Sequence, residues 1–140
     1  MVREAALPFF KISEMEVTRP ELGRAEMRTT AGEFMKVGHV TYQAGDGPPP
    51  HFHPNEEQFI FMLDGRMQMQ VGEETRTIGK GDLVHVPRNA VHGIHILEGP
   101  AVFFTCKSPV GDGDLNQDYN MAPDARDVKA KLEADSGAKR

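Results

Sequence analysis

His51 and His53 stand one residue apart in the stretch GPPPHFHPNEEQFIFMLDG, residues 47–65. On an extended segment successive side chains alternate faces, so the two imidazoles point the same way. Histidine is the commonest metal ligand, and two on one face make half of a metal site. Such a pair alone is weak evidence, because surface strands carry it by chance. Three features shift the balance toward a site. The Gly-Pro-Pro-Pro run before His51 stiffens the approach, since each proline fixes its own φ. Glu56, Glu57 and Gln58 follow His53 closely, and each carries an oxygen acceptor. A second segment, GKGDLVHVPRNAVHGI, brings His92 after a proline-containing turn.

The elements that must position these groups read as strands. EFMKVGHVTYQAG, QFIFMLDG, RMQMQVG, GDLVHVP, HGIHIL and AVFFTC are each of strand length and rich in Val, Ile, Phe and Thr. Glycine and proline bound most of them, the pattern of an all-β sandwich or barrel. No long amphipathic helix appears between residues 34 and 106, and no internal repeat, so the reading is one barrel. Residues 1–33 mix short apolar and polar pieces, an N-terminal arm or edge strand. Residues 107–140 are polar and irregular. Within them PDARDVKAKLEA reads as a short helix from Pro123 with Asp127 and Lys131 one turn apart, or as a tail.

The whole chain bounds the function. Its 140 residues suit one domain with a sizeable core. The net charge of −5 speaks against nucleic acid as the main partner. No apolar run reaches spanning length, and MVREAALPFFKI lacks the apolar core of a secretion signal. The single cysteine, Cys106, fits a reducing compartment, so a cytoplasmic protein is expected.

The two histidine segments resemble the paired motifs of the cupin superfamily. The first motif runs Gly, five residues, His-x-His, three or four residues, Glu, six residues, Gly. Here it is Gly45, DGPPP, His51-Phe52-His53, PNEE, Gln58, FIFMLD, Gly65. The second runs Gly, five residues, Pro-x-Gly, two residues, His, three residues, Asn. Here it is Gly81, DLVHV, Pro87-Arg88-Asn89, AV, His92, GIH, Ile96. Three positions depart: Gln58 stands for Glu, Asn89 for Gly and Ile96 for Asn. The resemblance implies a single-domain jelly-roll β-barrel. It also implies one divalent ion per chain, Fe, Mn, Ni, Cu or Zn, held by His51, His53, the Glu-position residue and His92.

Strand parity addresses which acceptor completes the set. Asp64-Gly65 is a strong signal for a two-residue hairpin turn. That turn would pair Met62 with Met67, Ile60 with Met69 and Gln58 with Val71. Opposed residues share a face. One face then carries Gln58, Ile60, Met62, Met67, Met69 and Val71, and suits the interior. The other carries Glu57, Phe59, Phe61, Leu63, Gln68 and Gln70, and suits the outside. Gln58 is therefore the expected ligand. The family spacing agrees, because Gln58 lies six residues before Gly65. Ile60, Met62, Met67 and Met69 are the expected apolar wall of a substrate pocket.

Four neutral ligands leave the ion its full charge, which favours anionic ligands such as enolates, phenolates or carboxylates. Two open positions of a six-coordinate ion suit chemistry on a small-molecule substrate. The resemblance implies either dioxygenase chemistry or Lewis-acid isomerisation, cyclisation or elimination. The rival reading is a cupin that binds metal or ligand without turnover. His39 reads as structural or exposed. His85 faces away from Val84 and Val86, and His95 lies off the metal face by parity. Cys106 reads as a buried small hydrophobe. Phe59 and Phe61 on the outer face, with the dimers common among cupins, lead to an expected homodimer.

Overall fold

The computed structural model describes residues 8–20, 24–123 and 132. Their alternating apolar and polar residues form one antiparallel sheet of eight strands, curled into a half-barrel. In chain order the strands are β1 Glu26–Ala31, β2 Lys36–Tyr42, β3 His51–Phe52 and β4 Glu57–Val71. They continue as β5 Glu74–Gly79, β6 Leu83–Val86, β7 His92–Ser108 and β8 Asn120–Met121. A 3-10 turn at Ile12–Glu14 precedes them.

The 17-residue β7 is the spine. One edge pairs with β2 and with β3, where His92 stands opposite His51. Its other edge pairs with the whole of β4. The far edge of β4 takes β6 near its start and β5 near its end. Val40, Ile60, Met62, Met67, Ile96 and Phe103 fill the interior, each at most 4% exposed. Burial of each contributes about 1.5–3 kcal/mol.

The hairpin expected at Asp64-Gly65 does not form. QFIFMLDG and RMQMQVG are one continuous strand, as are HGIHIL and AVFFTC. Gln58 faces Val86 and Lys107 instead of Val71, and Met67 faces Ile78 and Ile96 instead of Met62. The Asp-Gly pair serves instead as a break in register, with shifts between Met62 and Met67. Gly65 has φ 76, and a Cβ there would lie 2.6 Å from the Ala101 Cα. Only glycine fits so close to β7 in that conformation.

Parity nonetheless holds before the break. Gln58, Ile60 and Met62 point in, and Glu57, Phe59, Phe61 and Leu63 point out. After it Met67 and Met69 are buried as expected, but Gln68 between them is fully buried too rather than outward. Its Oε1 accepts a hydrogen bond from Thr77 Oγ1 at 2.6 Å, which satisfies part of the buried amide.

The polar stretch after β7 folds back onto the sheet. Leu115 enters the core, and β8 pairs with β3. The helix expected from Pro123, with its Asp127–Lys131 pair, lies outside the described residues except for Pro123, an exposed turn residue, and Leu132, which is buried. Among the described residues no helix is long and apolar enough to cross a membrane.

Candidate metal centre

The sheet gathers the three motif histidines, although they come from two distant segments. The two strands that carry His51 and His92 are paired at those residues. His53 follows just beyond β3. One ring nitrogen from each lies within 4.8 Å of the others. That spacing brackets a point about 2–3 Å from each nitrogen, close to the ~2.0–2.1 Å of an imidazole–metal bond. The approach is held by Gly47, whose φ is 142 and whose Cβ would lie 2.7 Å from the Ile94 carbonyl oxygen. Glycine there lets the proline run lie against β7 beside His92.

Each ring is turned by a backbone carbonyl. His51 Nδ1 meets the Pro49 carbonyl at 2.8 Å, His53 Nδ1 that of Asp118 at 3.0 Å, and His92 Nδ1 that of Ala90 at 3.1 Å. A carbonyl only accepts, so Nδ1 donates in all three and Nε2 keeps its lone pair. Burial first, then the His92 charge, drives His51 down to about 2. Burial, then the Lys107 charge, lowers His53 to about 4. Burial also lowers His92 to about 4, against the pull of the Ala90 carbonyl. Three neutral imidazoles with free Nε2 atoms are the state a metal ion requires.

The three residues after the histidines take three different fates. Glu56 is buried and salt-bridged to Lys36 at 2.5 Å. Glu57 points out and meets His85 Nε2 at 2.8 Å. Gln58 points into the cavity that the three histidines line. Its amide orientation follows from its neighbour. Thr105 Oγ1 donates to the Phe59 carbonyl at 2.8 Å, so it must accept from Gln58 Nε2 at 2.7 Å. Among the described residues Gln58 Oε1 is then left as a buried acceptor with no partner, as is His53 Nε2. Orphaned buried polar atoms are rare and costly. An ion at the cluster would give both a partner, so the residues present fit a divalent metal.

Of the apolar wall expected around a substrate, Ile60 lines this cavity. Met62 and Met67 are instead packed in the core. Met69 borders a separate groove with Leu83 and Pro87. The end of β4 still runs beside the site, with Val71 opposite His92 and Met69 opposite Ile94. The lining that sequence reasoning missed includes Tyr42, Phe103, Thr105, Lys107 and Tyr119. Tyr119 stacks on His51 with ring centroids 4.2 Å apart. Asp118 holds His53 through its carbonyl, while its carboxylate clamps Asn55 at 2.6 and 2.9 Å. Its φ of 64 is one that Asp tolerates.

The remaining histidines stay out of the cluster. His39 is half-buried, and burial, then the Arg28 charge, lowers its pKa. His85 is exposed and stacks on Phe59, and His95 faces Gln68 across the sheet. Cys106 departs from its expected burial. It is half-buried on the outer face, with Sγ 3.7 Å from Met35 Sδ, because its parity opposes that of Thr105 and Lys107.

Residues 38–106 match the family model described as Cupin domain. The uncharacterized protein SCO3923 of Streptomyces coelicolor is 30% identical over 88 residues, 61% of this chain and 81% of that protein. Quercetin 2,3-dioxygenase of Bacillus subtilis is 29% identical over 72 residues, which is 51% of this chain but 21% of the enzyme. The structure of KdgF from Halomonas sp. superposes with a TM-score of 0.67 at 24% identity, over 72% of this chain and 94% of KdgF. That likeness identifies the half-barrel as a jelly-roll β fold.

Proposed function

This chain belongs to the cupin family, and on that premise we propose that it is a metal-dependent enzyme acting on a small oxygen-bearing organic molecule. The observation that carries the reading is the set of inward, proton-free nitrogens of His51, His53 and His92 beside the unpartnered Oε1 of Gln58. These four residues would hold one divalent ion. Such an ion supplies Lewis acidity toward a carbonyl or enolate oxygen, and, where the metal is redox-active, an electron route to dioxygen. The protein's own share is positioning and exclusion of water. The carbonyls of Pro49, Ala90 and Asp118 fix the rings, and Thr105 fixes the amide. Tyr42 and Phe103 give the cavity an aromatic wall suited to a planar substrate.

The reaction class is dioxygenase chemistry or a Lewis-acid isomerisation, cyclisation or elimination. Untagged protein purified without added metal is expected to carry about one ion per chain. Phenols and β-dicarbonyls should then be turned over, with oxygen uptake in the first class and without it in the second. Well under half an ion per chain, with no recovery on reconstitution near neutral pH, overturns the reading. Full occupancy with no turnover of any substrate leaves a binding protein.

A homodimer is part of the same proposal. Phe61 stands beside Leu83 and Phe104 across three adjacent strands on the outer face. Leu83 is 62% exposed there. A second copy would cover this strip. Light scattering at micromolar concentration should give twice the 15.5 kDa chain mass. A stable monomer would count against it.

A further inference from the structure

Resting on the metal reading, we propose that Lys107 is a second anchor in the cavity. Its ammonium takes a carboxylate or enolate oxygen of a small substrate anion whose other oxygen faces the histidine cluster. Lys107 is 4% exposed, yet it lines the same cavity as His51, His53 and Gln58. It stands directly opposite Gln58 in the β4–β7 pairing, so the two side chains share the inner face. Its charge also reaches the cluster, since it helps lower all three histidines.

Buried lysines are costly unless paired, and a buried lysine is usually neutralised by a partner. Here the natural partner is taken. Glu56 Oε2 lies 2.5 Å from Lys36 Nζ, whereas Glu56 Oε1 lies 3.8 Å from Lys107 Nζ. That distance is too long for a hydrogen bond, and among the described residues Glu56 Oε1 is itself without one. Lys36 also donates to Gln117 Oε1 at 3.1 Å. Lys107 donates to a neutral group, the Leu115 carbonyl, at 2.6 Å. Among the described residues one buried carboxylate therefore serves two buried ammonium groups. Asp114 and Asp118 also pull on Lys107, but neither is buried, so solvent screens them. Burial lowers Lys107 to about 8, which leaves it largely charged near neutral pH.

The positive excess sits in a chain of net charge −5, so it is local to the cavity. The proposed metal ligands are all uncharged and cancel none of it. An ammonium with donors to spare and a cation held by neutral groups together select an anion with two separated oxygens. The apolar and aromatic wall of Val40, Tyr42 and Phe103 suits the body between them.

The test titrates malonate and its neutral analogue malonamide into metal-free and metal-loaded protein by calorimetry. Lys107→Met keeps length and bulk but removes the charge. It is expected to weaken malonate at least tenfold in both forms, to leave malonamide unchanged and to leave metal content unchanged. Glu56→Gln preserves a hydrogen bond to Lys36 while freeing Lys107 of its partial counter-charge. It is expected to tighten malonate several-fold, and it carries the test should Lys107→Met not fold. Equal malonate affinity in the wild type and either variant overturns the proposal. So does an equal loss for malonamide, or no malonate binding to any form. Metal analysis of the same samples separates the two readings. A protein that takes up no metal on reconstitution, yet whose malonate affinity depends on Lys107, sinks the metal reading alone, and a metal-loaded protein whose malonate affinity is indifferent to Lys107 sinks this one alone.

Discussion

His53→Ala is expected to abolish stable metal binding while leaving the metal-free fold standing. Loss of an outer partner of a ligand costs ~10–100-fold in metal affinity, and loss of a ligand itself should cost more. The fold should tolerate the change because His53 contributes little to it. Its Nε2 is buried without a partner among the described residues, so truncation removes an unsatisfied group. What is lost is the 3.0 Å bond to the Asp118 carbonyl. The effect reads out in thermal melts. Metal at a hundredfold excess over Kd should stabilise the wild type by about 2.7 kcal/mol, and the variant by none. Without metal the two proteins should melt within a few degrees of each other. A variant that still takes up a full equivalent of metal removes His53 from the ligand set.

Acid should act on the same histidines in a defined direction. Their folded pKa values lie below the ordinary 6.5, at about 2 for His51 and about 4 for His53 and His92. Below pH 6.5 the unfolded chain takes up protons that the folded chain refuses. Their contribution to stability is therefore intact above pH 6.5 and declines as pH falls toward 4. Metal occupancy follows the folded values instead. Nε2 stays proton-free well below pH 6.5, so occupancy should persist to roughly pH 5 before it falls. Half-release near pH 6.5 would show that the rings titrate as exposed imidazoles and that the buried cluster is not as described.

Parts of this site were legible because they depend on local alternation. Period two alone places His51 with His53 and separates Glu57 from Gln58, whatever the strand pairs with. Pairing partners are a different matter. Asp64-Gly65 carries the local signature of a hairpin, but the long unbroken β7 takes the whole of β4 and turns that signature into a register break. The expected pairing of Met67 with Met62 and of Met69 with Ile60 fails for this one reason, whereas Met62 lies before the break and is packed in the core. Lys107 escaped notice because a lysine near the end of an apolar strand reads as a solvated terminus. Its burial depends on Glu56 and Leu115, which are distant or unpatterned in sequence. Asp118 and Tyr119 lie in an acidic, aperiodic stretch with no hydrophobic pattern to place it. Their positions follow from the β3–β8 pairing beside them and from the Asn55 clamp.

Gln58, not Glu57, is expected to reach the metal, and three variants separate the two. Gln58→Ala should lower metal affinity by about 10–100-fold, less than the loss of a histidine, because a neutral amide oxygen is a weaker ligand than imidazole and three histidines retain some ion. Glu57→Ala should leave occupancy unchanged. It costs an exposed contact to His85, of the kind generally worth ~0–1 kcal/mol. Gln58→Glu is the most informative. A carboxylate there should hold the ion at least as tightly, because it adds charge. The metal-free protein should pay a stability penalty for it. Thr105 Oγ1 already gives its proton to the Phe59 carbonyl, so it has none for a carboxylate and faces it lone pair to lone pair. The amide of Gln58 avoids this by donating to Thr105. Lys107, directly across the strand pair, would offset part of the cost as a new ion pair. Gln58→Glu should therefore melt below the wild type without metal and match or exceed it with metal. Turnover should change, because the ion's net charge falls by one. Unchanged metal affinity in Gln58→Ala together with its loss in Glu57→Ala would place Glu57 inside, and would mean that β4 enters the sheet one residue out of the register described.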